Sequence, residues 1–208
     1  KATDKERVPK IVFEDKWGPV NFYPIPYMEP SIVKHLYGND DIKNHNAAME
    51  AVVRSIEIEL NQRNVAIAHG FVIGTENEKP ITCESERTLT VGNVESVSYG
   101  YFKDFSYTAL GHLHCRQKAG EERIRYSGSP LKYSVSEVDH KKGVELVEID
   151  GDGKVSVEFI ELKPERDLRV LKGSLEELLG LAGSGKINKY DYIHAKITDE
   201  GELLDPIG

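Results

Sequence analysis

Two histidines stand two residues apart behind a glycine, in the string Gly111-His112-Leu113-His114. In extended backbone, side chains at i and i+2 leave on the same face, so both imidazoles can approach one point. Gly111 permits close backbone packing or an unusual turn just before them. Neutral imidazole binds divalent transition metals well, and further ligands from elsewhere in the chain would complete a one-metal or two-metal site. A third histidine, His69, precedes Gly70 at the end of the apolar run NVAIA at 64–68. Taken singly, each feature also fits hydrogen-bonded or rim histidines at a strand end, because short motifs match by chance. Together they repeat one layout, a short apolar strand ending in histidine beside glycine, which serves metal ligation better than packing.

Other residues compete for a role. Arg116, Lys118, Arg123 and Arg125 form a local basic stretch beside these histidines and are candidates for contact with DNA phosphates. A solvated hairpin with Glu121 and Glu122 at its tip explains the same charges equally well. Cys115 adjoins His114, but a neighbour in extended backbone faces the other way, so it is not counted as a ligand. His35, His45, His140 and His194 lack partners at ligand spacing and receive no role. Ser127-Gly128-Ser129-Pro130 reads as a tight loop near the metals. The string GLAGSGK at 180–186 approaches a phosphate-binding loop, yet Ile187 stands where Ser or Thr is required and a helix precedes it, so it reads as a helix-to-strand connection.

The elements that must position these residues follow from hydrophobic patterning. Residues 10–27 are rich in β-branched and aromatic types, and Trp17-Gly18-Pro19 turns between two short strands. Pro24, Pro26 and Pro30 then stop any strand. From about 39 to 63, Met49, Val52, Val53, Ile56 and Leu60 recur at helical spacing. The runs 64–68 and 107–110 read as short buried strands, each delivering histidine at its end, where open α/β sheets build their sites. Segments 143–149 and 154–162 form a hairpin across Asp150-Gly151-Asp152-Gly153. Beyond Pro164, the pattern is strand at 167–171, helix at 174–181 and strand at 190–197. Ser174 and Glu177 have capping-box spacing, and Gly180 or Gly183 can close that helix. This β-α-β unit has little apolar surface of its own and must pack on something else.

Composition sets limits on function. Hydrophobic residues make up 39% and charged residues 30% of the 208 residues, a soluble globular balance with room for a sizeable core. The residues contain no apolar run long enough for a bilayer and no signal-peptide core at 1–10, so no membrane partner is expected and the cytoplasm is the default location. Cys83 and Cys115 lack C-x-x-C spacing and read as reduced thiols. A net charge of -8 opposes nucleic-acid binding by the whole surface, so any such contact must be local.

The strings TALGHLHCRQ at 108–117 and RIRYSGSPLKYSVSE at 123–137 resemble the SbcD family of double-strand-break repair nucleases, within the calcineurin-like metallophosphoesterases. The resemblance extends, in the family's order, to PKIVFEDKWGPVNFYPIPYMEP at 9–30, VAIAHGFVIG at 65–74 and DYIHAKITDEGELLDPIG at 191–208. It implies an α/β (α+β) fold, a two-sheet sandwich flanked by helices over residues 1–162, followed by the start of a β-α-β capping domain at 163–208. It implies that His69, His112 and His114 are metal ligands, for two Mn2+ (or Mg2+) ions in the full-length enzyme. It further implies cleavage of DNA phosphodiesters together with an SbcC-like ATPase subunit, in a homodimer of the nuclease subunit. The family's D-x-H, G-D-x-x-D and G-N-H motifs, which carry the remaining ligands and the catalytic residues, do not occur in this sequence. The expectation is therefore half of a dinuclear site, in a chain that starts after those motifs and stops within the capping domain, with weak metal binding and no turnover of its own. Since histidine must be neutral to ligate, activity of the full-length protein is expected to fall at about pH 6 and below. Two alternatives use the same residues: a calcineurin-like phosphatase or phosphodiesterase on small substrates, and a catalytically silent interaction fragment.

Overall fold

The computed structural model describes residues 8–75, 79–86 and 96–200. Strands β1 (Ile11–Asp15) and β2 (Gly18–Ile25) form an antiparallel pair, followed by helices α1 (Pro30–Tyr37) and α2 (His45–Arg54) and by β3 (Arg63–His69). The short strands β4 (Val72–Ile73) and β5 (Val97–Ser98) pair with each other before β6 (Tyr107–Gly111), β7 (Gln117–Ala119) and β8 (Glu121–Tyr126). Hairpin β9 (Gly143–Ile149) and β10 (Val155–Glu161) comes next, then β11 (Leu168–Gly173), α3 (Leu175–Gly183) and β12 (Tyr192–Ile197). The chain is thus mixed α/β, built on a six-stranded mixed sheet in the order β1-β2-β3-β6-β8-β7. Its four inner strands, β2, β3, β6 and β8, run parallel, and both edges are antiparallel.

Alternation along the strands divides the sheet into two faces. Tyr23, Ile25, Ala66, Ala68, Leu110, Ile124 and Tyr126 point one way and are buried with Val33 of α1 and Ala48, Val52 and Val53 of α2. The opposite face carries Arg63, Ile67 and Tyr107, and hairpin β9-β10 reaches over it. There Arg63 bonds both oxygens of Asp15 (2.8 and 2.6 Å) and the carbonyls of Gly18 (2.7 Å) and Ile149 (3.3 Å). Glu145 on β9 takes Arg125 and the Tyr107 hydroxyl. Coverage of this face is partial, for Ile67 at its centre remains 45% exposed. Besides the large sheet, the described residues up to 162 carry two two-stranded sheets, this hairpin and the pair β4-β5.

The expected helix at 39–63 is shorter. The Asn44 side chain accepts the Ala47 N–H and starts α2 at His45, and the helix ends before Ile56 and Leu60. A second helix, α1, occupies a stretch where prolines suggested only interruption. Pro30 sits in its first turn, where its missing N–H costs nothing. At the other end, α3 has its capping box, runs through Gly180 and ends at Gly183, and Gly185 takes the left-handed turn. The β-α-β unit pairs β11 and β12 in parallel and meets the segment 130–142, where Lys132 lies 2.9 Å from Asp167. No residue of α3 is buried. Residues 201–208 of that expected unit lie outside the described residues. No helix among the described residues is long and apolar enough to cross a membrane.

Candidate metal centre

The carboxyl ends of β3 and β6 bring His69 and His112 to one edge of the sheet. Parallel register pairs His69 with Gly111, so His112 begins one residue beyond the partner of His69. The two rings stand 5.4 Å apart, nearly perpendicular. Gly111 makes this approach feasible, because a Cβ there would lie 2.9 Å from His69 Nδ1. Tyr126 secures the turn after His69: its hydroxyl donates to the Gly70 carbonyl (2.7 Å) and accepts the Val72 N–H (2.6 Å).

His112 departs from the extended geometry that the two-residue spacing suggested. Its φ is +119°, a conformation that costs a non-glycine residue about 1–3 kcal/mol and persists only where surroundings enforce it. The strand has ended at Gly111, so pleating does not place His112 and His114 on one face. Aromatic groups surround the pair instead. Phe71 lies 6.3 Å from the His112 ring, and Tyr27 stands edge-on to His69 at 6.1 Å while stacking on His45. Burial, with the neighbouring His69 adding to it, holds the His112 imidazole below its ordinary pKa against an opposing pull from Glu86. The neutral ring, the form that ligates, is thereby favoured.

His114 occupies a polar setting. Its Nδ1 lies 2.9 Å from Ser85 Oγ and 3.2 Å from Glu137 Oε1. Its backbone N–H donates to Glu86 (2.5 Å), and its carbonyl accepts from Ser129 N–H (3.1 Å) and Lys142 Nζ (2.9 Å). The Ser127–Pro130 segment is indeed a tight loop, and it grips the His114 backbone. Gly128 has φ +83°, and a Cβ there would meet the His114 carbonyl at 2.8 Å. Glu137 is fully buried and pairs with buried Lys142 at 2.5 Å. Burial alone would raise the Glu137 carboxyl, but Lys142, Ser85 and His114 outweigh it and hold the group at about 2.

The other candidates resolve differently. Arg116 and Arg125 both bond Glu145, Lys118 meets Glu122 at 2.6 Å, and Arg123 meets Glu121 at 2.8 Å. All four basic side chains are engaged by carboxylates within the chain, and the Arg125–Glu145 pair is buried, unlike the solvated charges that the hairpin alternative describes. The Gly180–Lys186 string is helix followed by loop. His140 was assigned no partners by spacing, yet Cys83, Glu137 and His140 place ligand atoms within 4.8 Å of one another, the one such group among the described residues. That group is poorly suited to an ion. Lys142 already holds Glu137, and burial pushes the metal-free Cys83 thiol up to about 12. Glu137, Lys142 and Ser85 carry no spacing signal, since each lies 23 to 29 residues from His114. No family model matches the chain.

Proposed function

We propose that this chain carries the histidine half of a dinuclear centre in a calcineurin-like, SbcD-type metallophosphoesterase that hydrolyses DNA phosphodiesters. The observation that supports it most is the placement of His69 and His112 on adjacent parallel strand ends, with rings 5.4 Å apart and a glycine where any side chain would block them. The imidazoles present suit a divalent transition-metal ion such as Mn2+ better than Mg2+, which takes oxygen ligands. His112 is biased to the neutral form, and His114 has Nδ1 bonded to a carboxylate, as metal-bound histidines usually do. When bound, such ions supply Lewis acidity and a hydroxide nucleophile. His69, His112 and His114 would hold them, and the aromatic wall of Tyr27 and Phe71 would limit water around the first two. The remaining ligands belong to D-x-H, G-D-x-x-D and G-N-H motifs outside this sequence, and the ATPase partner and homodimer belong to the same reading.

A second reading, hydrolysis of small phosphate esters, draws support from the internal pairing of Arg116, Lys118, Arg123 and Arg125. Binding a DNA backbone rests on cations that are free to replace its counterions.

Titration of the chain with Mn2+, followed by the electron paramagnetic resonance signal of the free ion, tests the centre. Weak binding is expected, reduced at least about tenfold in His69→Ala and in His112→Asn, the latter chosen because Asn tolerates positive φ. Equal binding by all three proteins would remove the metal-centre reading.

A further inference from the structure

The bonding around His114 Nδ1 has one consistent proton assignment. Glu137 is ion-paired with buried Lys142 through Oε2, and the oxygens of a paired carboxylate serve as acceptors. Ser85 Oγ lies 2.5 Å from Glu137 Oε1, so its single hydroxyl proton is directed there, and what it offers His114 is a lone pair. Both groups near Nδ1 are therefore acceptors, and Nδ1 must carry the proton. In a neutral ring the lone pair then resides on Nε2.

The carboxylate doing this is itself fixed. Lys142 has three N–H donors and three acceptors within reach: Glu137 Oε2 at 2.5 Å, Ser129 Oγ at 2.8 Å and the His114 carbonyl at 2.9 Å. The same ammonium group thus holds both the backbone of His114 and the carboxylate that bonds its ring. Ser129 Oγ passes its own proton to the Leu131 carbonyl at 2.8 Å, which leaves it free to accept from Lys142. Tyr133 lies against the imidazole with ring centroids 5.4 Å apart.

We propose that Glu137, oriented by Lys142, is the positioning residue that fixes His114 in the Nδ1–H tautomer and so presents Nε2 as the ligating atom. The metal consequence rests on the metal-centre reading above, whereas the tautomer does not. Glu137 touches no reacting atom and acts only through His114.

The experiment is nitrogen-15 NMR of the histidine side chains in the labelled chain at about pH 8, above the ordinary imidazole range. The His114 signals are assigned by their loss in His114→Asn. The expected spectrum places the ring proton on Nδ1. In Glu137→Gln the lysine still requires an oxygen, so the amide nitrogen faces His114 and donates to Nδ1. The proton then moves to Nε2, and Mn2+ affinity falls about ten- to a hundredfold. An Nε2–H tautomer in the unaltered chain overturns the proposal, and this measurement needs no variant, so it stands even if Glu137→Gln fails to fold. A Glu137→Gln protein that folds and keeps the Nδ1–H tautomer overturns it too. If the tautomer behaves as stated but the unaltered chain binds no Mn2+, the positioning role holds and the metal-centre reading fails.

Discussion

The loop cluster around His114 and the β-α-β unit at the far end of the chain use similar ion pairs to opposite effect. In the cluster, Glu137 and Lys142 are buried together, and every donor of the ammonium group meets an acceptor. In the β-α-β unit, Arg169 pairs with Asp191 at 2.5 Å while about half of the arginine side chain remains in solvent. A buried pair survives only when its geometry is complete, because water cannot substitute for a missing partner. An exposed pair can break and reform at little cost. Desolvation is therefore what allows an ion pair to fix a neighbouring side chain such as His114.

The largest expected effect tests this difference directly. Lys142→Met leaves the Glu137 carboxylate buried without a counter-ion and is expected to lower stability by roughly 3–5 kcal/mol. Arg169→Met removes a half-solvated guanidinium from Asp191, whose shielded carboxylate keeps the Asp167 N–H and the Asn188 amide as donors, and is expected to cost less, about 1 kcal/mol. Denaturant unfolding followed by Trp17 fluorescence gives the first value, and amide hydrogen exchange within β11 and β12 gives the second. Losses of similar size would break the comparison.

Acid sharpens it through a change of sign. In the unaltered chain, the Glu137 carboxyl sits at about 2, below its ordinary 4.5. Its stabilising contribution is full above the unfolded value and is lost as pH falls from about 5 towards 2. Without Lys142, burial becomes the dominant influence and raises the carboxyl instead. The folded protein then takes up the proton first, and acid relieves the penalty. The stability gap between Lys142→Met and the unaltered chain should narrow between about pH 7 and about pH 4.5. A gap that widens over that interval would contradict the assignment of the loss to an orphaned carboxylate.

The two regions also differ in how well sequence encodes them. Hairpin β9-β10, with its Asp-Gly-Asp-Gly turn, and the unit β11-α3-β12, with its Ser174 cap, are legible because each is built from neighbours in sequence. The ends of β3 and β6 were equally legible, since apolar runs stop at His69 and just before His112. Helix periodicity misled where apolar residues continued past the helix. Leu60 keeps the spacing of α2 yet lies 73% exposed beyond its end. Pro30 was legible as an interruption but equally marks a helix start, and local pattern does not separate the two. The cluster around His114 was illegible for a different reason. Its bonds join loops 23 to 29 residues apart, and no periodicity links a buried glutamate to the ring it orients.

The smallest expected effect asks whether the β-α-β unit is coupled to the rest at all. Ser174 accepts the Glu177 N–H at 3.2 Å, and the Glu177 carboxylate accepts the Ser174 N–H at 2.8 Å. Ser174→Ala removes one half of this box, at a cost of about 1 kcal/mol to the helix. Because α3 has no buried residue, it shares little packing through which that loss could spread. Amide hydrogen exchange within residues 175–183 should accelerate about fivefold, the equivalent of about 1 kcal/mol, while the Trp17 unfolding midpoint stays unchanged. A matching fall in that midpoint would mean that α3 belongs to the cooperative core, and the contrast between a desolvated cluster and a solvated appendage would have to be drawn elsewhere in the molecule.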